Sequence, residues 1–266
     1  MHCLLIGPVN KHAQDAFGLP NALFCSPIKK ANSISSYPAE LFNEELEAEN
    51  VLELELDYSM VRAAYDEVEE IVAADYFEGK RVCEQNGIGL RSFCPGWNGD
   101  LRWISSFNET GFAFFDKYFD KLGVADKAKA IIGDHGPLIM YSGFFVVRSH
   151  TKEPFYHFDF PAEVGLNAFT LMTPVTQTGE AGNLLYHDAY DDEQVYKYSR
   201  GKAACFGGGF YHSTEPFESS DPYVFLCFTF GVNNMEHWDA IADAAAEQSP
   251  IYRHPERGIV KSEKLE

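Results

Sequence analysis

Residues 154–161 have the sequence Pro154-Phe155-Tyr156-His157-Phe158-Asp159-Phe160-Pro161. An aromatic run of this kind is typical of a β-strand, in which successive side chains point to opposite faces. The pattern therefore predicts that His157 and Asp159 share one face while Tyr156, Phe158 and Phe160 share the other. An imidazole and a carboxylate on the same face can bind one metal ion together.

A third ligand is expected from His212, which follows the glycine run 207–209. Those glycines allow the chain to bend tightly just before the histidine. Two imidazoles and one carboxylate on one side of a metal, with the opposite positions open, form the facial triad of non-haem Fe(II) oxygenases. The sequence thus predicts a metal site, and candidate catalytic residues, at His157, Asp159 and His212. The alternative is that the three are structural polar groups in an aromatic core.

The residues around this motif have the pattern of short strands separated by turns rich in Gly, Pro, Asn and Asp. The predicted strands are 138–148, 154–161, 168–173, 182–186, 194–198, 203–206, 210–212 and 224–230. Many short strands of this kind indicate an antiparallel sandwich or barrel of jelly-roll type. We expect the metal-binding β core to occupy residues 134–232.

Residues 1–133 are predicted to form an N-terminal layer of strand and helices. No period runs through 1–50, which we expect to be irregular. The alternation of Leu and acidic residues over 52–57 predicts a half-buried edge strand. Helical spacing predicts helices over 60–77, capped by Ser59 and ended by Gly79, and over 109–122 and 125–132.

The turn-rich segment 80–108 contains Trp97 and Trp103. We expect it to be a surface loop, with a lid or pocket wall as the alternative. Residues 233–266 are expected to form a last helix over 235–247 and a frayed tail. Together these segments predict one domain over 1–266, mainly β with flanking helices, in which a helical layer packs on the jelly roll.

The chain has 266 residues and a formal net charge of −19 at pH 7. This charge repels phosphate groups and disfavours nucleic acid and anionic membranes as partners. The first residues do not have the pattern of a signal peptide, and no apolar stretch is long enough for a membrane span. The six cysteines are scattered without a CxxC pair, which fits reduced thiols. We therefore expect a soluble, cytoplasmic protein.

Three motifs together resemble a known superfamily: the His157-Phe158-Asp159 segment, the triplet Gly182-Asn183-Leu184, and residues 201–206 leading to His212. Over about residues 138–232 the chain resembles the Fe(II)- and 2-oxoglutarate-dependent dioxygenases with the double-stranded β-helix (jelly-roll) fold. The likeness is to the phytanoyl-CoA-hydroxylase-like and prolyl-hydroxylase-like members.

The resemblance implies Fe(II) held by His157, Asp159 and His212, with 2-oxoglutarate and O2 at the open positions. It also implies oxidative decarboxylation of 2-oxoglutarate to succinate and CO2, coupled to hydroxylation or another oxidation of a small-molecule substrate. Halogenating relatives have a small residue in place of Asp159, so its presence favours hydroxylation. The prime substrate and the oligomeric state are left open by the sequence.

The chain departs from the family pattern at the residue that anchors 2-oxoglutarate. Family members usually have an Arg or Lys about ten residues after the second histidine, where this chain has Pro222 and Tyr223. Arg148 is the first candidate for the anchor, because it follows an apolar strand and a basic side chain can pair with a carboxylate. Lys202 is a further candidate, and Tyr223 could add a hydroxyl contact.

Two alternatives to this function stay open. One is a cupin-like metalloenzyme that does not use 2-oxoglutarate, which would explain the missing downstream Arg. The other is a non-catalytic jelly-roll binding module in which the histidines and the aspartate are structural. Separately, the alternative to the anchor role of Arg148 is that it simply lies at a strand end in solvent.

Overall fold

A computed structural model describes residues 51–73, 84–92, 101–133, 136–176, 181–188 and 190–263. The predictions made for residues 1–50, for Gly79 and for Trp97 lie outside these ranges. Within them, none of the helices combines the length and the apolar character needed to cross a membrane.

Most strands of the described chain form one large antiparallel sheet, here called the main sheet. In chain order the strands are β1 (Leu52–Glu55), β2 (Glu84–Gln85), β3 (Ile88–Ser92), β4 (Arg102–Ser106), β5 (Leu138–Thr151), β6 (Ala168–Pro174), β7 (Leu184–His187), β8 (Glu193–Tyr196), β9 (Lys202–Phe206), β10 (His212–Thr214), β11 (Phe217–Val232), β12 (Ile251–His254) and β13 (Gly258–Lys261). The main sheet has the order β1-β9-β6-β11-β5-β4-β3-β2. The predicted edge strand is confirmed, since β1 lies at one end of this sheet.

A small sheet of order β10-β7-β8 packs against the main sheet. From β5 onward the chain passes back and forth between the two sheets, with β6, β9 and β11 in the main sheet and β7, β8 and β10 in the small one. Apolar residues from both sheets share a buried cluster, including Phe144, Phe206 and Phe225 of the main sheet and Leu184 and Tyr186 of the small sheet. This two-sheet arrangement confirms the predicted fold class, mainly β with flanking helices. The face of the main sheet toward the small sheet is called the inner face below.

Four of the five described helices cover the opposite, outer face of the main sheet, whereas the last helix packs on Tyr141 and Phe160 in a separate buried cluster. They are α1 (Tyr58–Asp66), α2 (Glu69–Ala73), α3 (Glu109–Lys121), α4 (Val124–Ile132) and α5 (Trp238–Gln248). The predictions for α3 and α4 are confirmed to within a residue. Phe119 of α3 packs on Phe228 and Phe230 of β11, with ring centroids 5.5 Å apart in both pairs. Aromatic contacts therefore join α3 to the main sheet.

The single helix predicted over 60–77 is wrong within the described residues, because α1 ends at Asp66 and α2 begins at Glu69. A tight turn, in which the Val68 N–H donates to the Tyr65 carbonyl at 2.8 Å, separates the two helices. The predicted cap is also wrong. Asp57 is the N-cap: its carboxylate accepts a hydrogen bond from the backbone N–H of Ser59 at 2.9 Å. This N–H is one of the amides in the first turn that have no partner within the helix.

Two segments expected to be irregular contain strands. The described parts of 80–108 form β2, β3 and β4, and Trp103 of β4 stacks on Phe144 of β5 with ring centroids 4.5 Å apart. The segment between the predicted last helix and the expected frayed tail, which was to begin around Lys261, forms the hairpin of β12 and β13. The side chain of Ser262 is buried after this hairpin and donates to the Ala246 carbonyl at 3.0 Å, which ties the segment to α5.

Candidate metal centre

His157 and His212 are joined by a pair of backbone hydrogen bonds. The His157 N–H donates to the His212 carbonyl at 2.9 Å, and the His212 N–H donates back to the His157 carbonyl at 3.0 Å. The strand predicted over 154–161 is therefore wrong: the segment bends at Asp159 and Phe160, and its β pairing is limited to this isolated bridge. The bridge is enough to set the two imidazoles side by side, with ring centroids 4.4 Å apart.

Asp159 completes the cluster from the same side of the segment. Its Oδ1 lies 3.5 Å from Nε2 of His157 and 3.9 Å from Nε2 of His212, and the three ligand atoms all lie within 4.8 Å of one another. Donors at right angles around a metal, each about 2.1 Å from it, are about 3 Å apart. The structure thus brings the three predicted ligands together at a spacing that closes onto an ion with small side-chain movements.

Both histidines are oriented by a carbonyl of their own segment. Nδ1 of His157 lies 3.0 Å from the Phe155 carbonyl oxygen, and Nδ1 of His212 lies 3.0 Å from the Phe210 carbonyl oxygen. Because a carbonyl oxygen only accepts hydrogen bonds, each Nδ1 carries the proton and each Nε2 offers its lone pair to the centre. This is the arrangement by which proteins prepare histidine ligands for a metal.

The charges of the cluster also suit a metal. Burial lowers the pKa of His212 to about 4, aided by the neighbouring imidazole of His157. Burial opposes ionisation of Asp159, but hydrogen bonding to His157 and the nearby imidazoles hold its pKa well below the usual range. Burial also lowers the pKa of His157, yet the bond to Asp159 outweighs it and the net shift is upward. An ionised carboxylate and neutral imidazoles are the forms that bind metals.

Aromatic rings enclose the centre on the His212 side. The ring of Phe206 lies 4.6 Å from that of His212, and the ring of Phe210 lies 5.4 Å from it. The side chain of His212 is 6% exposed, that of Asp159 is 17% exposed and that of His157 is 37% exposed. The centre is therefore closed behind His212 and open beside His157, which is the side from which small molecules can enter.

Glycines let β10 approach the segment that carries the other two ligands. The N–H of Gly209, which has φ +82°, donates to the Phe160 carbonyl at 2.9 Å. A Cβ on Gly208 would lie 2.6 Å from the Pro161 carbonyl oxygen, so only glycine fits this contact. The tight bend predicted before His212 is present, and it also fixes the distance between the ligand-bearing segments.

Arg148 on β5 extends from the main sheet to the small sheet. Its Nη1 donates to Oγ1 of Thr214 on β10 at 2.7 Å. Thr214 and His212 are two residues apart on one strand and share a face, so they are about 7 Å apart along it. The positive charge of Arg148 contributes to lowering the pKa of His212. The guanidinium therefore lies on the same side of the small sheet as the three ligands.

The other two candidate anchors differ in position. Tyr223 of β11 is paired in register with Arg148 and is buried, with its ring stacked on Phe217 at 4.5 Å. Lys202 lies at the start of β9 and forms an exposed ion pair with Glu53 of the edge strand β1. The structure therefore brings Tyr223 next to Arg148 and does not bring Lys202 into the cluster.

Three residues near the centre were missed from sequence. Thr214 lies two residues after His212 on the same strand, so the alternation of side chains along a strand predicts that the two share a face. Thr170 of β6 has a buried hydroxyl, which adds to the larger effects of His157 and His212 in lowering the pKa of Asp159 against burial. Tyr198 is buried close enough to Arg148 for that charge to oppose the rise that burial causes in the pKa of its phenol. No sequence period links Thr170 or Tyr198 to the ligands.

Comparisons by sequence find nothing: no protein-family model matches the chain, and neither does any curated protein. Comparisons with solved structures do find similar folds. The non-haem α-ketoglutarate-dependent epimerase SnoN from nogalamycin biosynthesis aligns with a TM-score of 0.52 at 11% identity, over 71% of this chain and 80% of SnoN. EctD from S. alaskensis, with 2-oxoglutarate and 5-hydroxyectoine, aligns with a TM-score of 0.51 at 10% identity, over 75% of this chain and 80% of EctD. The chain therefore has the double-stranded β-helix fold of these 2-oxoglutarate oxygenases, as the sequence motifs predicted.

Proposed function

We propose that this protein is a non-haem iron oxygenase that uses 2-oxoglutarate and O2 to hydroxylate or otherwise oxidise a small molecule. The observation that carries the proposal is the cluster of His157, Asp159 and His212, whose ligand atoms converge within 4.8 Å. Its occurrence in the fold shared with SnoN and EctD supports this chemistry over a structural role. The described cysteines, Cys205 and Cys227, are free, which agrees with the proposed cytoplasmic location.

The donor set fits Fe(II). Two neutral imidazole nitrogens and one carboxylate oxygen are the ligands of the facial triad, which leaves positions open for small molecules. When bound, iron supplies the oxidative decarboxylation of 2-oxoglutarate to succinate and CO2 with transfer of oxygen to a substrate. The chain's own contribution is to keep Asp159 ionised, to aim both Nε2 atoms at the centre and to exclude water behind His212.

We further propose that Arg148 binds the distal carboxylate of 2-oxoglutarate. The guanidinium lies on the ligand side of β10, and its contact to Thr214 is about 7 Å along the strand from His212. That separation suits a five-carbon diacid whose other end binds the metal. Charge-assisted bonds from a guanidinium to a carboxylate are strong and directional. The Tyr223 hydroxyl, on the residue paired with Arg148, is the proposed second contact.

The proposed substrate is a small molecule rather than a macromolecule. Two of the similar structures contain small ligands: SnoN is in complex with nogalamycin RO, and EctD is with 5-hydroxyectoine. In this chain the centre lies between two sheets and is open mainly beside His157. A site of that kind suits a compact substrate that enters between strands.

The test is anaerobic addition of Fe(II) and then 2-oxoglutarate, followed by absorption spectroscopy and, after air is admitted, by measurement of succinate. The expected result is a weak visible charge-transfer band from the iron complex of 2-oxoglutarate, and slow succinate formation without added substrate. The His157→Ala variant is the control and is expected to lose both. Iron binding without the band would favour the metalloenzyme that does not use 2-oxoglutarate. Absence of stoichiometric iron binding would favour the non-catalytic jelly-roll module.

A further inference from the structure

Four hydroxyl side chains lie side by side across the inner face of the main sheet. This hydroxyl row consists of Ser105 of β4, Ser142 of β5, Thr229 of β11 and Thr170 of β6. Thr229 pairs in register with Ser142 on one side and with Thr170 on the other. Ser105 pairs with Phe144, an inner-face residue two positions after Ser142. Because residues paired across antiparallel strands share a face, all four hydroxyls belong to the inner face.

The hydroxyl row is buried but only partly hydrogen-bonded. Each of its residues is at most 3% exposed. Oγ1 of Thr229 and Oγ of Ser142 lie 2.6 Å apart and share a hydrogen bond. Oγ of Ser105 and Oγ1 of Thr170 form no hydrogen bond of normal geometry within the described parts of the chain. Buried hydroxyls without a partner are costly and rare in native proteins, so these two are available to a bound molecule.

The last turn of α5 covers the row at β4 and β5. Oγ of Ser142 donates to Oε1 of Gln248 at 3.2 Å, and Oγ of Ser249 donates to the Ser106 carbonyl at 3.3 Å. Because the Ser142 proton is given to Gln248, the Ser142 oxygen accepts from Thr229, and the three side chains form one chain of bonds. The Gln248 side chain is half-buried, and its amide nitrogen donates to no other described residue. The chain of bonds therefore ends at a free donor beside solvent.

The Thr170 end of the row lies beside the candidate metal centre. Thr170 pairs in register with Phe206 of β9, and the Phe206 ring lies 4.6 Å from the ring of His212. Residues paired in this way have Cβ atoms about 5 Å apart, so Thr170 adjoins a ring that packs on a candidate ligand. The row therefore extends along one face from the centre to the end of α5.

We propose that the hydroxyl row and Gln248 form the subsite that binds an uncharged part of the substrate carrying hydroxyl or carbonyl groups. The inference rests on the proposed function. Ligand pockets are mostly apolar and contain a few polar groups that fix orientation, and the inner face around the row supplies apolar walls such as Phe144 and Phe225. None of the five polar side chains carries a charge, so a charged group bound here would be buried without a counter-ion.

The test is saturation-transfer NMR of the metal-free protein with three probes that share one ring. They are the vicinal diol of cyclohexane, the amino alcohol in which an amine replaces one hydroxyl, and the hydroxy acid in which a carboxylate replaces it. We expect the neutral diol to bind. Because the subsite offers no counter-ion, we expect the two charged analogues to bind about tenfold more weakly.

Two variants locate the bound diol. Gln248→Leu and Ser105→Ala are each expected to weaken diol binding about threefold to tenfold, the effect of losing one hydrogen bond between neutral groups. Ser105→Ala removes a hydroxyl that has no partner, so it is expected to melt no lower than the native protein. Gln194→Leu is the matched control. Its amide donates to Asp188 at 2.9 Å on the small sheet, so its loss is expected to leave diol binding unchanged.

Mn(II) shows whether the subsite adjoins the centre, because a paramagnetic ion speeds the relaxation of nearby protons. We expect bound Mn(II) to relax the diol protons in the native protein but not in His157→Ala. The inference is overturned if the diol fails to bind, if the charged analogues bind equally well, or if both subsite variants bind the diol like the native protein. It is also overturned if Mn(II) binds without relaxing the diol. If the diol binds as expected and Mn(II) does not bind, the proposed function fails while the polar subsite stands.

Discussion

Arg148 and Thr214 connect the two sheets beside the candidate metal centre, with Nη1 of the arginine 2.7 Å from Oγ1 of the threonine. Arg148 belongs to β5 of the main sheet, whereas Thr214 ends β10, the short strand that begins with His212. A hydrogen bond between the two sheets therefore holds a cation at a fixed place relative to His212, a candidate metal ligand.

Replacing Arg148 by Met is expected to weaken 2-oxoglutarate binding about tenfold to a hundredfold, because a hydrogen bond to a charged group contributes about 1.5–3 kcal/mol. Binding of Ni(II) alone is expected to change little, since Arg148 is not a metal ligand. Calorimetry of 2-oxoglutarate binding to the Ni(II)-loaded protein measures the effect. Lys202→Met is the matched control and is expected to bind 2-oxoglutarate normally, because its exposed ion pair with Glu53 is distant from the cluster. Equal losses in both variants would contradict the anchor assignment.

Metal affinity is expected to fall as the pH is lowered, because protons compete with the metal for the imidazole nitrogens. The folded protein raises the pKa of His157 above its ordinary value and lowers that of His212 to about 4. One proton should therefore be displaced per metal ion below the raised pKa of His157, and a second only near pH 4. Calorimetric titration with Ni(II) in buffers of different ionisation enthalpy counts the released protons. Release of two protons near pH 6 would be inconsistent with a neutral His212.

The same shifts have opposite effects on the stability of the metal-free protein. Folding raises the pKa of His157, so its charged form stabilises the folded protein. This stabilisation is fully present below the unfolded pKa of about 6.5, and it is lost as the pH rises through the higher pKa of the folded state. For His212 the folded pKa is lowered to about 4, so folding is penalised as the pH falls from about 6.5 toward 4. Denaturant unfolding of His212→Phe between pH 4 and 7 is expected to show less acid destabilisation than the native protein. An unchanged pH profile would mean that His212 is protonated freely in the fold.

Gly208→Ala is expected to disturb the metal centre without touching a ligand. Its Cβ would lie 2.6 Å from the Pro161 carbonyl oxygen and 2.8 Å from the Gly165 amide nitrogen, so backbone must shift. Overpacking of this kind costs about 1–3 kcal/mol, and here it separates β10 from the segment that carries His157. Chemical denaturation and Ni(II) calorimetry measure the two losses. Gly258→Ala, with φ +72° but open space around it, is the control and should lose stability only.

The pairing of His157 with Asp159 in the candidate metal centre was predictable from sequence because it depends on a local period. His157 and Asp159 are two residues apart, so any extended backbone sets them on one side, and the glycine run marks the bend before His212. The strand assignment for 154–161 was wrong for a related reason: a period of two indicates extended backbone but says nothing about whether a partner strand is long enough. The partner β10 has only three residues, so the pairing stops at His157.

Contacts between distant segments were not predictable in this way. Lys202 was a reasonable anchor by composition, yet it lies at the start of β9 beside the edge strand, where Glu53 pairs with it. The C-terminal hairpin was missed because its charged tail has little apolar periodicity of its own. Arg253 of that hairpin pairs with Asp116 of α3 at 2.8 Å, a contact that only the tertiary fold creates.

Gly143→Ala tests the contact between the helical layer and β5. A Cβ at this position would lie 2.5 Å from Cβ of Phe115 and 2.6 Å from its Cγ, so α3 could no longer pack at its present distance. Glycine is unfavourable inside a strand, and its use here is explained by this close approach. We expect Gly143→Ala to lower the free energy of unfolding by about 1–3 kcal/mol.

Ni(II) affinity of the folded Gly143→Ala protein should stay near the native value, because residue 143 points to the outer face while the ligands lie on the inner face of the main sheet. Denaturant unfolding and calorimetry on the same sample separate the two effects. A loss of metal affinity with unchanged stability would contradict this expectation. It would mean that the added methyl group displaces β5, and the candidate metal centre with it, instead of displacing α3.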